Sequence, residues 1–362
     1  MSGAPIDSTH PVRPGEEIPA AQLALWLGER LPGTGGPIEI EQFPGGHSNL
    51  TYLVRCGDRE MVLRRPPFGS KVKTAHDMGR EFRVLSRLHA AYPKAPRAFL
   101  QCDDPSVIGA PFYLMDRVRG VILRHQKPPV GVELPPETMR EISEAAVDGL
   151  ADLHAVDFEA VGLVDFGRPE GYVRRQVEGW SERWRNARTD EVPGVDRAAG
   201  WLVEHQPADS GAALIHNDYK YDNLVLDRQD LPRILAVLDW EMSTVGDPLM
   251  DLGTSLGYWI DADDHPGLRL LPAGPTALPG NLSRIEVAER YAARTGRDIS
   301  HIVFYYVYGL FKISVIAQQI YYRYKQGLTK DERFAGLLDA VRILGRTASR
   351  AIEKGRIDRL AT

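Results

Sequence analysis

Leu214–Trp240 reads LIHNDYKYDNLVLDRQDLPRILAVLDW. Asp218, Lys220, Asn223 and Asp239 all fall inside it, with Asp218 five residues before Asn223 and two before Lys220. Two short apolar runs, NLVL and ILAVL, flank the turn-like RQDLPR and read as paired strands. A hairpin at that point carries Asp239 back beside the loop that holds Asp218 and Asn223.

Such a convergence suits phosphoryl transfer from a nucleotide. One carboxylate orients the attacking hydroxyl and accepts its proton. An amide oxygen and a second carboxylate hold Mg²⁺ across the phosphates, and a nearby cation offsets charge on the moving group.

Length and composition set the frame. The chain has 362 residues, enough for two lobes with a sizeable core. A net charge of −5 gives no nucleic-acid footprint. The two cysteines, Cys56 and Cys102, are too few for a disulfide framework and point to a reducing, cytoplasmic setting. The start shows no basic-then-apolar leader. The longest apolar candidate, around Val303 to Ile320, contains Lys312 and two glutamines, so no membrane span is expected.

Working outward from the central stretch, residues 1–19 are rich in Pro, Gly and charge and read as a flexible tail. Ala20–Leu31 has helical apolar spacing. Ile38–Phe43 and TYLVRC read as strands around PGGHSN. There Gly45 and Gly46 permit a tight turn and close approach of backbone N–H groups to a phosphate, with Ser48 and Asn49 as further donors. In the next strand, EMVLRR, alternation puts Val62 and Arg64 on one face and Met61, Leu63 and Arg65 on the other. Thr74–Tyr92 is expected to be helical, burying Met78, Phe82, Leu85 and Leu88. PFYLMDRV forms an apolar strand whose end, Met115 to Val118, could offer backbone groups to a purine edge. A Pro-rich linker ends at Pro136, where a helix to Val156 begins. His154 reads as a satisfied core histidine.

Downstream, Asp247 and Asp251 are expected to bond backbone N–H groups of the catalytic loop or of a helix start. Asp261, Asp263 and Asp264 form an acidic cluster, read as a solvated loop or as an attraction for a cationic substrate. Pro266–Pro279 reads as a mobile flap. Arg284–Arg294, His301–Tyr324 and 332–357 read as helices, with the aromatics of the second in the core.

Taken together, GGHSNLTY from Gly45, VLRRPP from Val62, Arg80-Glu81, HNDYKYDN from His216 and LDWE from Leu238 resemble the aminoglycoside phosphotransferase and choline kinase superfamily. The likeness is greatest to the kinase-like domains associated with acyl-CoA dehydrogenases. The loop has the His-x-Asp-x-Lys-x-x-Asn form of kinases. The resemblance implies an α+β, protein-kinase-like bilobal fold: a small antiparallel-sheet N-lobe with one helix at 20–118, a hinge and linker at 119–136, and a mainly helical C-lobe at 137–362. It implies Asp218 as base with Lys220 beside it, Asn223 and Asp239 as Mg²⁺ ligands, and Arg64 in place of a phosphate-binding lysine, steadied by Glu81. Val62, Met115 and Val118 would then border the nucleotide, ATP or GTP. The acceptor is expected to be a small hydroxylated molecule, first a hydroxyacyl-CoA and second an aminoglycoside. A nucleotide-binding module without turnover is a third reading, and a homodimer stays open. His216-Asn217-Asp218 departs from the family's usual His-Gly-Asp.

Overall fold

Alternation along the third strand determines how the small lobe is built. The computed structural model describes residues 8–44, 49–68, 77–125, 127–129, 131–270, 274–329 and 331–360. Five antiparallel strands, β1 (Ile38–Gln42), β2 (Leu50–Cys56), β3 (Arg59–Arg65), β4 (Ala98–Cys102) and β5 (Phe112–Asp116), lie in the order β1-β2-β3-β5-β4. From β3, Met61 and Leu63 face a core built with Trp26 and Leu27 of α1 (Ala20–Arg30), while Val62 joins the core beneath α2 (Met78–Leu88). A short helix, α3 (Pro105–Ile108), completes the lobe. The sheet is therefore covered on both faces, by α1 on one and α2 on the other, the two segments read as helical from their apolar spacing.

The second helix also differs from its expected limits. Asp77 caps it by accepting from the Arg80 amide at 2.9 Å, so it starts at Met78 rather than Thr74; residues 74–76 lie outside the described residues. Residues 8–19 are not a loose tail. His10 pairs with Gln42 at the β1 edge, the Tyr52 hydroxyl donates to the Glu16 carbonyl at 2.8 Å, and Ile18 is buried. Composition alone missed this because the partners lie far along the chain: the Gln42 side chain accepts from the Arg13 amide at 3.0 Å and donates to Glu16 at 2.6 Å.

The large lobe is mainly helical: α4 (Pro136–His154), α5 (Tyr172–Ala187), α6 (Pro193–Glu204), α7 (Pro248–Tyr258), α8 (Arg284–Thr295), α9 (Ile302–Lys325) and α10 (Leu337–Lys354). The last is shorter than the expected 332–357, since Glu332–Gly336 forms a separate 3-10 turn. Among these helices run β6 (Ala213–Ile215), β7 (Leu224–Leu226), β8 (Ile234–Val237) and β9 (Thr244–Gly246), paired β6 with β9 and β7 with β8. The NLVL and ILAVL runs thus do form a hairpin. The linker crosses it, as the amides and carbonyls of Val121 and Leu226 exchange two bonds of 2.8 Å. The Val237 amide also donates to the Lys94 carbonyl at 2.7 Å, tying β8 to the small lobe.

Helix α9 is apolar on nearly every side, as suits a helix through the centre of a lobe. It crosses α7 with the backbones in contact: a Cβ on Gly309 would lie 2.0 Å from the Gly253 carbonyl oxygen. Only glycine permits that approach. Among the described residues, no helix is long and apolar enough to cross a membrane.

The acidic cluster is a correction. Asp261 and Asp264 are buried, not solvated, and both pair with Arg284, itself buried at the start of α8. Burial still pushes Asp261 up to about 6 against the pull of Arg284. These two carboxylates are internally matched and do not present themselves to a cationic ligand, whereas Asp263 between them is exposed, as the solvated reading expected. The expected flap at 266–279 is, where described, also packed: Leu268, Gly274 and Thr276 are buried, and the Thr276 hydroxyl accepts from the Ile260 amide at 2.9 Å. Residues 271–273 lie outside the described residues.

Candidate active site

The loop between β6 and β7 carries His216, Asn217, Asp218 and Lys220, and it is held rigidly. Asp251, buried on α7, accepts from the backbone amides of His216 at 2.6 Å and Asn217 at 2.8 Å. His154 adds a third bond to Asp251 at 3.1 Å and a bond to the Tyr291 hydroxyl at 2.7 Å. Burial opposes the Asp251 charge, but these partners overcome it and hold its carboxyl below the usual range. Asp247 performs the matching task one turn earlier, capping α7 through the amides of Leu249 and Met250. Asp251→Ala leaves two buried N–H groups without an acceptor, at about 1–3 kcal/mol each. We expect denaturant unfolding to show a loss of about 3 kcal/mol; a loss under about 1 kcal/mol would contradict this role.

His216 is buried, and burial lowers its pKa so that it stays neutral. Its two partners fix the tautomer. Nε2 donates to the Leu238 carbonyl at 2.9 Å, and Nδ1 accepts from the Asp218 amide at 3.3 Å. Only the neutral ring meets both. The imidazole thereby joins the Asp218 loop to the residue before Asp239.

Asn217 (φ 66°) and Asp239 (φ 67°) occupy the left-handed region, which side chains other than Asn and Asp seldom visit. Glycine at the family's usual position would adopt this conformation freely. Asn217 does so while its amide nitrogen donates to the Met242 carbonyl at 3.1 Å and to Tyr172 at 3.2 Å.

The expected residues come together as follows. Lys220 grips both Asp218 oxygens, at 3.0 and 2.9 Å, and lies 4.5 Å from the Tyr258 ring centre. Burial works against its charge; Tyr258 and Asp218 reverse that and raise its pKa. The amide nitrogen of Asn223 donates to the Asp218 carbonyl at 2.8 Å and to Oδ2 at 3.0 Å, which leaves the amide oxygen as the group for a cation. From the small lobe, buried Arg64 reaches Glu81 at 2.7 Å and Asp239 at 3.1 Å. Burial pushes Asp239 up, yet Arg64, by charge and by hydrogen bond, and then Lys220 hold it below the ordinary carboxylate range. Its side chain is 36% exposed, so an oxygen remains open to the cleft.

Val62 and Met115 are opposite each other in the β3–β5 register, both buried beside Arg64. The Asp116 amide donates to Arg97 at the strand's end; Val118 follows, half-buried against Ile122 and Val225. Asn49 is buried, and its amide nitrogen bonds Glu241 at 2.8 Å, bridging the lobes. Gly45, Gly46 and Ser48 lie outside the described residues. Sequence reasoning missed Tyr258 and the loop-holding Tyr172. It used Lys312 only as an argument against a membrane span, although one lysine within YYVYGLFKISVI is itself a signal.

Hard oxygen donors of this kind fit Mg²⁺, which is held by one or two protein groups plus phosphate and water. Among the described residues no three His, Cys, Asp or Glu side chains come together as a metal cage. A small apolar pocket beneath the loop, of about 20 Å³, is lined by Leu150, Tyr219, Leu252 and Trp259.

The chain is similar to known proteins. Residues 39–295 match the family described as "Phosphotransferase enzyme family". Mouse "Acyl-CoA dehydrogenase family member 10" is 36% identical over 322 residues, covering 88% of this chain and 30% of that protein. The chain thus spans about a third of that relative. A Ralstonia eutropha crystal structure described as that of a "putative aminoglycoside phosphotransferase" has 29% identity and a TM-score of 0.78, covering 93% of this chain and 99% of its own. The aminoglycoside phosphotransferase APH(4)-Ia, in a ternary complex with AMP-PNP and hygromycin B, shares the fold at 16% identity and a TM-score of 0.54, covering 90% and 99%. With its two lobes, the His216–Asn223 loop and the Asp239 hairpin in one cleft, the chain belongs to the phosphotransferase enzyme family with the kinase-like aminoglycoside phosphotransferase fold.

Proposed function

We propose that the chain transfers the terminal phosphate of ATP, with Mg²⁺, to a hydroxyl of a small molecule. The observation that supports this reading is Asn223 bonded to Asp218, with the Asn223 backbone carbonyl accepting from the Leu238 amide next to Asp239, and the Arg64–Glu81 pair reaching Asp239 from the other lobe. Asp218 orients the acceptor hydroxyl and takes its proton. Lys220, fixed to that carboxylate, offsets charge as the phosphoryl group moves. Arg64 presents a planar fork where a lysine would present a point charge. Asn223 and Asp239 would hold the metal, which when bound neutralises charge across the phosphate oxygens.

A hydroxyacyl-CoA or a similar hydroxylated metabolite is the proposed acceptor, supported by the relatives' description as acyl-CoA dehydrogenase family members. The aminoglycoside alternative keeps only Asp263 of its three acidic residues, because Asp261 and Asp264 are matched by Arg284.

The test is incubation with ATP or GTP and a panel of hydroxyacyl-CoAs and aminoglycosides, read by product mass with and without a chelator. We expect a phosphorylated hydroxyacyl-CoA whose formation stops on Mg²⁺ removal. Tight nucleotide binding with no product across the panel would support a binding module instead.

A further inference from the structure

The catalytic loop is gripped from a second helix as well. Lys312 of α9 donates to the Asn217 carbonyl at 2.8 Å and lies 3.4 Å from Asn217 Oδ1. Its side chain is buried, in a helix otherwise lined there by aromatic and aliphatic residues. Taking an ammonium out of water is unfavourable, and an apolar side chain of that length would fill the space without the penalty. We propose that Lys312 is a positioning residue for phosphoryl transfer, fixing the 217–218 peptide plane and with it the direction of the Asp218 carboxylate.

That peptide has two ends, and each is held. Lys312 takes its carbonyl, while His216 Nδ1 takes its N–H, the amide of Asp218. The preceding amides are held by Asp251. Asn217 sits at φ 66°, which turns its carbonyl in a direction an ordinary loop would not, and Lys312 is where that carbonyl points. The Gly253–Gly309 contact brings α7 and α9 together, so Asp251 and Lys312 reach the loop as one rigid unit. The charged groups facing Lys312 are Asp251 from α7, Asp218 and Lys220 from the loop and Arg183 from α5, with the Trp180 ring 5.8 Å away.

Lys312→Met and Lys312→Arg test this. In Lys312→Met we expect faster amide exchange over residues 213–224, by about tenfold, with exchange in β2, β3 and β5 unchanged. We also expect kcat to drop about 10–100-fold, the scale of one charge-assisted hydrogen bond, while the nucleotide KM moves less than about twofold. Lys312→Arg should recover most of both. A folded Lys312→Met protein with loop exchange and kcat within about twofold of the unaltered protein would overturn the proposal.

Should Lys312→Met not fold, Lys312→Gln, shorter and neutral, gives the second test: loop exchange relative to the β-sheet should rise by about tenfold, and loop exchange within about twofold of the unaltered protein would overturn the proposal. The turnover comparison rests on the phosphotransferase reading, but the exchange comparison does not. A protein without turnover whose loop still loosens in Lys312→Met would defeat that reading and support this one.

Discussion

Asp218→Asn is expected to lower turnover by about 10²–10⁴-fold, the usual contribution of a positioned general base, while nucleotide binding persists. The asparagine preserves shape and can still accept from Lys220 and Asn223, so the loop should keep its form. What it removes is the negative charge and the basic oxygen. Single-turnover rates with saturating nucleotide separate this from a binding defect. A variant with turnover within tenfold of the unaltered protein would take Asp218 out of the chemistry. Should Asp218→Asn bind nucleotide poorly, the carboxylate would instead be part of the phosphate site.

Asp239→Ala should abolish the Mg²⁺-dependent part of nucleotide affinity. Groups that merely orient a metal ligand contribute about 10–100-fold in affinity, so loss of a ligand itself should reach at least the upper end, about 100-fold. In the variant, Arg64 keeps Glu81, and the pair stays closed without the second carboxylate. Affinity measured with a chelator should then differ little between the two proteins, and affinity measured with Mg²⁺ should differ greatly. A titration in which both respond equally to Mg²⁺ would remove Asp239 from the metal site.

The sequence made the centre of this molecule legible and left its periphery obscure, for physical reasons. Loop spacing and the hairpin could be read because backbone geometry ties Asp218, Asn223 and Asp239 within 22 residues. The β3 alternation predicted opposite faces for Val62 and Leu63, and they do enter different cores. Asp247 and Asp251 bond the amides expected of them, because a carboxylate beside a helix start has few better partners. The failures share a different cause. Asp264 looked solvated because its partner, Arg284, stands 20 positions later and no local pattern links them. Residues 8–19 looked loose because their partners, Gln42 and Tyr52, stand 26 to 36 positions later and no local pattern links them. Lys312 stood out in an apolar helix, yet only the crossing at Gly253 and Gly309 shows what it reaches.

The central claim is a geometry, and a crystal structure with AMP-PNP and Mg²⁺ tests it most directly. The account predicts a metal about 2.0–2.1 Å from oxygens of Asn223 and Asp239, with the triphosphate between Arg64 and Asp218. A nucleotide seated outside this cleft, or a metal touching neither residue, would contradict it.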